Sequence, residues 1–346
     1  VKPVKIVQYG IVVAIMALAI SRLIPHFKDF SKVWQLKDTL NYWWIFAAIF
    51  AQTFQYIGDG WFSQLFLRIA DMKVRIKDSL RIASLNVFAA HILPVGEAGG
   101  LAAAYHFYKK LGVDTEKFIF LSICWTALIH FLLILMFIIS GLFVDNLSGT
   151  LNTSIISIGA LILVLVILGI YITLKKFFPH IEKHLSKYKW TKPFLSFIKN
   201  KDVYKKRLIQ HKGLVFFGFL AGLLYYASNI ASLVFAFLTF GILPPMSVII
   251  FAYASSLIFS KITLAPAGIG AAEASLILIF LEAKIDPTIA VGATLIYRLI
   301  SFWFPIPAGF FSFYSLKKET KSTGDLPTTL EEELFEDATK QTDKKK

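Results

Sequence analysis

The sequence predicts an all-α polytopic membrane protein made of two inverted repeats, each with three full spans and one re-entrant broken hairpin. Three observations carry that prediction. Hydrophobic residues make up 56% of the 346, and the mean hydropathy is +0.65; both are membrane-protein values. Apolar stretches long enough to cross a hydrocarbon core recur along the chain. Two more, residues 83–112 and 255–284, are each cut near the middle by proline and glycine.

The breaks follow from backbone chemistry. Proline has no amide to give and disfavours helix in the residue before it. Pro94 with Gly96, Gly99 and Gly100 therefore interrupts the first stretch, and Pro266 with Gly268 and Gly270 interrupts the second. The pieces on either side, of about 12–15 residues, are too short for a core needing roughly 20. Two half-helices meeting at mid-depth are expected, and backbone opened there must be buried in protein or line a wet cavity. A shift of 172 residues lays Ser84 on Ser256, Leu85 on Leu257, Pro94 on Pro266, Gly96 on Gly268, Ala102 on Ala274 and Asp114 on Asp286. Six identities are near chance in apolar sequence. The weight lies in the phase, because each broken hairpin leads to a linker aspartate and a long apolar helix. Matching interruptions in two halves point to a transporter-type midplane site.

In chain order, residues 4–21 read as a retained first span rather than a cleaved signal, because a comparable stretch at 151–174 opens the second half. Residues 42–67 form the second span, with Tyr42, Trp43 and Trp44 at its interfacial start. The first hairpin covers about 79–108, and an unbroken span follows at 117–143. Span 213–240, a second hairpin at about 247–281 and a last span at 288–315 complete the second half. The repeats are thus 1–143 and 144–316, the latter holding the hydrophilic loop 175–212. Residues 317–346 are expected to be a disordered tail.

The charge pattern orients these elements. The net charge of +14 is not a nucleic-acid signature, because the basic residues cluster at span ends. Loop 175–212 alone carries twelve Lys/Arg against two acids, mixed with aromatic rings, as suits an interfacial or topology-setting segment. With re-entrant hairpins, the segments on the inner side hold 29 Lys/Arg and those on the outer side five. That places both termini in the cytoplasm of a plasma (inner) membrane protein and inverts the second half relative to the first. His180 and His184 lie four apart but lack a third ligand and read as solvated surface. Cys124 sits alone in an apolar run, which excludes a disulfide framework and a thiolate metal site.

Only Lys261 and Arg298 among the 36 basic residues lie inside apolar segments. Buried cations need partners or a wet cavity, and Glu97 and Glu273, each at the start of a half-helix, are the natural partners. Gly96, Gly99, Gly268 and Gly270 either permit close packing or bare amides at positively polarised helix starts, a ready anion site. His91 beside the first break is a candidate head-group or proton ligand. His130 reads as a satisfied interhelical polar residue. The planar fork of Arg298 suits phosphate oxygens.

The run from Leu264 to Phe311 carries Pro266-x-Gly268-x-Gly270-x-x-Glu273, then Arg298 and a Trp303–Pro305 helix ending at Gly309. It resembles the signature of the lysylphosphatidylglycerol synthase transmembrane-region family, also called flippase-like domain proteins. Asn86, Pro94, Gly96 and Glu97 are similar to that family's earlier Pro-x-Gly-Glu segment. The resemblance covers roughly residues 5–316 and implies translocation of a lipid or lipid-linked head group. No synthase domain is seen after residue 316, so aminoacyl transfer is not implied.

The sequence thus leads to a translocase for an anionic phospholipid or a polyprenyl-phosphate-linked head group, with membrane lipids as partners and a homodimer compatible with it. No cofactor, metal site or nucleic-acid partner is implied, and there is no nucleotide-binding loop. Two alternatives stand beside it. A membrane-embedded lipid-modifying enzyme has only His91 and Glu97 as a compact acid–base pair. A transporter of a soluble anion would close its cavity to the bilayer.

Overall fold

The computed structural model describes residues 40–92, 96–144, 191–262 and 270–321. The expected spans at 4–21 and 151–174, His180, His184, Pro94, Pro266 and Gly268 lie outside the described residues. The architecture is all-α and multi-span, with no strand among the described residues. The elements are α1 (Trp43–Ile69), α2 (Ile76–Ile92), α3 (Glu97–Lys110), α4 (Thr115–Leu142), α5 (Lys192–Lys199), α6 (Lys201–Gln210) and α7 (Lys212–Leu238). They continue as α8 (Met246–Ile262), α9 (Ala271–Glu282), α10 (Pro287–Arg298), a π turn (Leu299–Trp303) and α11 (Pro305–Lys321). Three of the described helices are both long and apolar enough to cross a membrane: Thr115–Leu142, Lys212–Leu238 and the continuous Pro287–Leu316.

α1 has the length of a span, 27 residues, but is more polar. Gln52, Gln55, Asp59 and Ser63 recur at helical spacing and are all buried. α1 packs along α7, antiparallel, with the amide of Asn41 bonded to the carbonyl of Thr239 at one end. At the other end Arg207 reaches Asp71 at 2.6 Å. Gly58 makes the close approach possible, since a Cβ there would sit 2.7 Å from the Ala221 carbonyl oxygen. Gln52 Nε2 donates to Asn229 Oδ1 at 3.0 Å, and Asn229 Nδ2 donates to Gln55 Oε1 at 3.1 Å. In a lipid setting such bonds, about 0.6–2 kcal/mol each, replace the hydrophobic drive that tails cannot supply.

The two interrupted segments form helical hairpins. α2 and α8 both span 17 residues, about 25 Å each and short of the roughly 30 Å core. In the first hairpin Gly100 of α3 abuts the carbonyl of Asn86 in α2, where a Cβ would meet that oxygen at 2.4 Å. The helix starts on either side of the two breaks do not keep one offset. Ile76 and Met246 open matching helices 170 residues apart (246 − 76), while Thr115 and Pro287 do so 172 apart (287 − 115). Gly96 (φ 58°) precedes α3 and Gly270 (φ 85°) precedes α9. Gly112 (φ 81°) and Lys284 (φ 61°) keep the 172 offset (284 − 112).

Two apolar cores hold the helices. One gathers Phe62, Phe66, Phe107, Phe120 and Tyr204 from α1, α3, α4 and α6. The other gathers Leu233, Phe237, Ile249, Leu276 and Phe280 from α7, α8 and α9. Within the basic loop, residues 192–210 are two short helices docked on the spans. Glu116 at the start of α4 accepts bonds from Ser196 at 2.6 Å and Asn200 at 3.0 Å. Phe131, Ile139, Phe216, Trp303, Phe310 and Phe311 stay exposed, the outward apolar belt of helices that meet hydrocarbon.

Two details depart from the expectations. The last span is interrupted by the π turn, closed by a bond from Phe304 N to the Leu299 carbonyl at 3.2 Å. Pro305 has no amide for the carbonyl of Ser301, so the register widens before it. The helix then runs to Lys321, past residue 317 where the tail was expected to begin. His130 is satisfied within its own helix, Nδ1 lying 2.7 Å from the Thr126 carbonyl, rather than between helices.

Candidate functional site

The four charges Lys261, Arg298, Glu97 and Glu273 come together as two pairs. Glu97 is the first residue of α3, placed there because Gly96 takes a positive φ that turns the chain into the helix. Its Oε1 accepts from Lys261 Nζ, in the last turn of α8, at 2.6 Å. The pair bridges 164 residues and joins the first hairpin to the second. It is open: the Lys261 and Glu97 side chains are 33% and 81% exposed.

The second pair lies within the second half and is more enclosed. Arg298, the last residue of α10, donates through Nε to Glu273 Oε1 at 2.6 Å, with side-chain exposures of 16% and 24%. Glu273 also takes the amide of Gly270 at 2.7 Å through Oε2. The carboxylate therefore occupies the anion position at the start of α9, where helix dipole and free amides favour negative charge. Arg298 Nη2 is buried and meets no acceptor among the described residues, so one donor of the fork remains unused.

Phe302 in the π turn links this pair to the first hairpin. Arg298 lies over its ring with Cζ 5.3 Å from the centroid, and the His91 ring meets it edge-on at 4.6 Å. His91, at the end of α2, thus shares an aromatic wall with Arg298. The wider register of the π turn sets the positions of Phe302 and Arg298 relative to α2.

The glycines divide by role. Gly99 is buried and its amide is bonded to the Gly96 carbonyl at 2.9 Å, so it offers no bare amide. Gly270 has its amide taken by Glu273. At the start of α9 the Gly270 amide is thus occupied by the protein's own carboxylate. Among the described residues no group of three or more His, Cys, Asp or Glu is placed to hold a metal ion.

One buried layer has no counterpart in the sequence reading. Asp59, 7% exposed, lies on the polar face of α1 with Gln52, Gln55 and Ser63. The three-and-four spacing of these residues is the signal in the sequence, and one acid among neutral polar residues makes it faint.

Among curated proteins none matches the chain. The family model of the lysylphosphatidylglycerol synthase TM region matches residues 6–309. On that extent of match the chain belongs to the lysylphosphatidylglycerol synthase transmembrane-region family.

Proposed function

We propose that the protein is a lipid translocase, moving an anionic phospholipid or lipid-linked head group across the membrane. The family and the multi-span helical architecture agree with a flippase-like transporter. The observation that carries the finer reading is the Glu97–Lys261 pair, which ties the end of one hairpin to the other, together with the unused donor of Arg298. In this reading the hairpins are re-entrant, the halves are inverted repeats, and a midplane cavity opens between them.

The chemistry is an exchange of anions. Empty, the site holds two cations and two carboxylates and is balanced. An entering phosphate competes with Glu273 for the Arg298 fork, which binds two oxygens side by side. It competes with Glu97 for Lys261, which acts as a point charge. Releasing Glu97 from Lys261 uncouples the hairpins, so head-group binding itself loosens the contact that holds the two halves in one arrangement. Phe302 and His91 form the wall along which the head group passes, while the acyl or prenyl chains stay in lipid.

The test is movement of fluorescent phosphatidylglycerol in proteoliposomes, read by dithionite quenching, with thermal stability followed in detergent. Wild type is expected to expose inner-leaflet lipid, and Arg298→Ala to slow this at least about tenfold, the loss of one charge-assisted contact of about 1.5–3 kcal/mol. Full movement by a stably folded Arg298→Ala protein overturns the assignment.

A further inference from the structure

We infer that Asp59 is a proton-binding site inside the membrane, enclosed where α2, α3 and α7 meet α1 and distinct from the Lys261–Arg298 site. Asp59 is the seventeenth of the 27 residues of α1 and is 7% exposed. The chain offers its own contrast in Asp78, 2% exposed at the start of α2. Asp78 is held by Arg75 through Nε at 2.8 Å and Nη2 at 3.3 Å, with Arg81 at 3.9 Å. Asp59 has no cation at ion-pair distance among the described residues. Its neighbours are neutral hydrogen-bonding groups, Ser63 Oγ at 3.5 Å and the side chain of Asn86.

The ionisable groups facing it are few. Tyr56 lies on its own helix, Tyr108 on α3 and Tyr225 on α7; Asp78 lies beyond Tyr108, and Glu97 beyond Tyr225. α4 lays Trp125 against the neighbouring Phe62, and the π turn carries no ionisable side chain. A carboxylate enclosed this way must acquire either a proton or a cation, since nothing else offsets its desolvation. A divalent metal would need several anionic or imidazole ligands, and no such group forms among the described residues. A proton needs none.

The step is simple acid–base chemistry. The carboxylate takes one proton from water reaching the polar layer and becomes a carboxylic acid, turning from acceptor only into a donor as well. A neutral carboxyl then stands against the Asn86 side chain where a charge stood. Asn86 is wedged against Gly100, where a Cβ would meet its Oδ1 at 2.5 Å, so the change is delivered to the hairpin that carries Glu97 three residues away. Resting on the translocase reading, this makes the proton the coupling ion of transport.

The experiment is carbodiimide modification of the full-length protein in detergent, with the adduct located by mass spectrometry. Carbodiimide adds to protonated carboxyls in apolar settings. The expected result is an adduct on Asp59 whose yield falls at least about tenfold between pH 6 and pH 9, with Asp78 unmodified. Replacing choline chloride by sodium chloride is expected to leave the yield unchanged. Asp59→Asn removes the adduct, and Asp59→Glu, folded by size-exclusion, retains it. Recovery of the unmodified Asp59 peptide at every pH, a pH-independent yield, or protection by sodium overturns the proton site. Lipid movement measured on the same preparations separates the two readings. An Asp59 adduct in a protein that moves no lipid sinks the translocase, not the proton site. Lipid movement with an unaltered pH profile in Asp59→Asn sinks the coupling.

Discussion

At the scale of single residues, the two ion pairs are built for different work. Arg298 and Glu273 are enclosed and share the start of α9, so removing either strands a partly buried charge. Arg298→Ala is expected to lower stability by about 1–3 kcal/mol, measurable as a fall in melting temperature, and neutralising Glu273 in the same chain should recover part of it. Arg298→Lys should keep the stability and still slow lipid movement, because a lysine cannot present two parallel donors. Lys261 and Glu97 are open to their surroundings. If those surroundings are a wet cavity, Glu97→Gln costs under about 1 kcal/mol and its effect shows in transport alone. A loss of several kcal/mol in the melting curve would instead place the pair against hydrocarbon.

At the scale of elements, small residues set how closely the helices approach. Gly309 of α11 lies against α2, where a Cβ would come 2.8 Å from the Ser84 carbonyl oxygen and closer still to the Phe88 side-chain stem. Those contacts sit near the backbone and cannot swing aside. Gly309→Ala is therefore expected to destabilise the protein by about 1–3 kcal/mol. Gly213 near the start of α7 meets nothing within 4 Å, and Gly213→Ala should be neutral or stabilising by up to about 1 kcal/mol. A thermal-shift comparison of the two variants checks the pair; equal effects would mean that α11 does not pack on α2 as described. The element boundaries themselves were largely legible, since α1, α4 and α7 follow apolar length and the hairpins follow Pro and Gly. The π turn was not, because a proline in an apolar run does not say whether the helix ends, kinks or widens.

At the scale of the whole molecule, contacts group the loops by end. Asp71, Glu116 and the α5–α6 segment meet through Arg207, Ser196 and Asn200, and Asn41 meets Thr239 at the opposite end. The positive-inside count assigns the first group to the cytoplasm and the second to the outside. Lys199, at the end of α5, is exposed and open to labelling. In a Cys124→Ser background, Lys284→Cys should react with an impermeant maleimide from outside intact cells, and Lys199→Cys only after permeabilisation. Labelling of both from outside would refute the orientation and the inverted repeat with it.

Multi-span helical membrane character, the points where the apolar segments break and the four candidate charges can all be read along the chain. These are local properties: hydropathy, the missing amide of proline, and the rarity of charge in apolar runs. Tertiary structure alone decided that Lys261 takes Glu97 and Arg298 takes Glu273, since the first pair closes over 164 residues and either carboxylate suited either cation. It also decided that Glu273 fills its own helix start, and that Asp59 faces neutral groups while Asp78 faces two arginines. A carboxylate's surroundings come from helices far apart in the chain, so burial and pairing cannot be read from its neighbours in sequence.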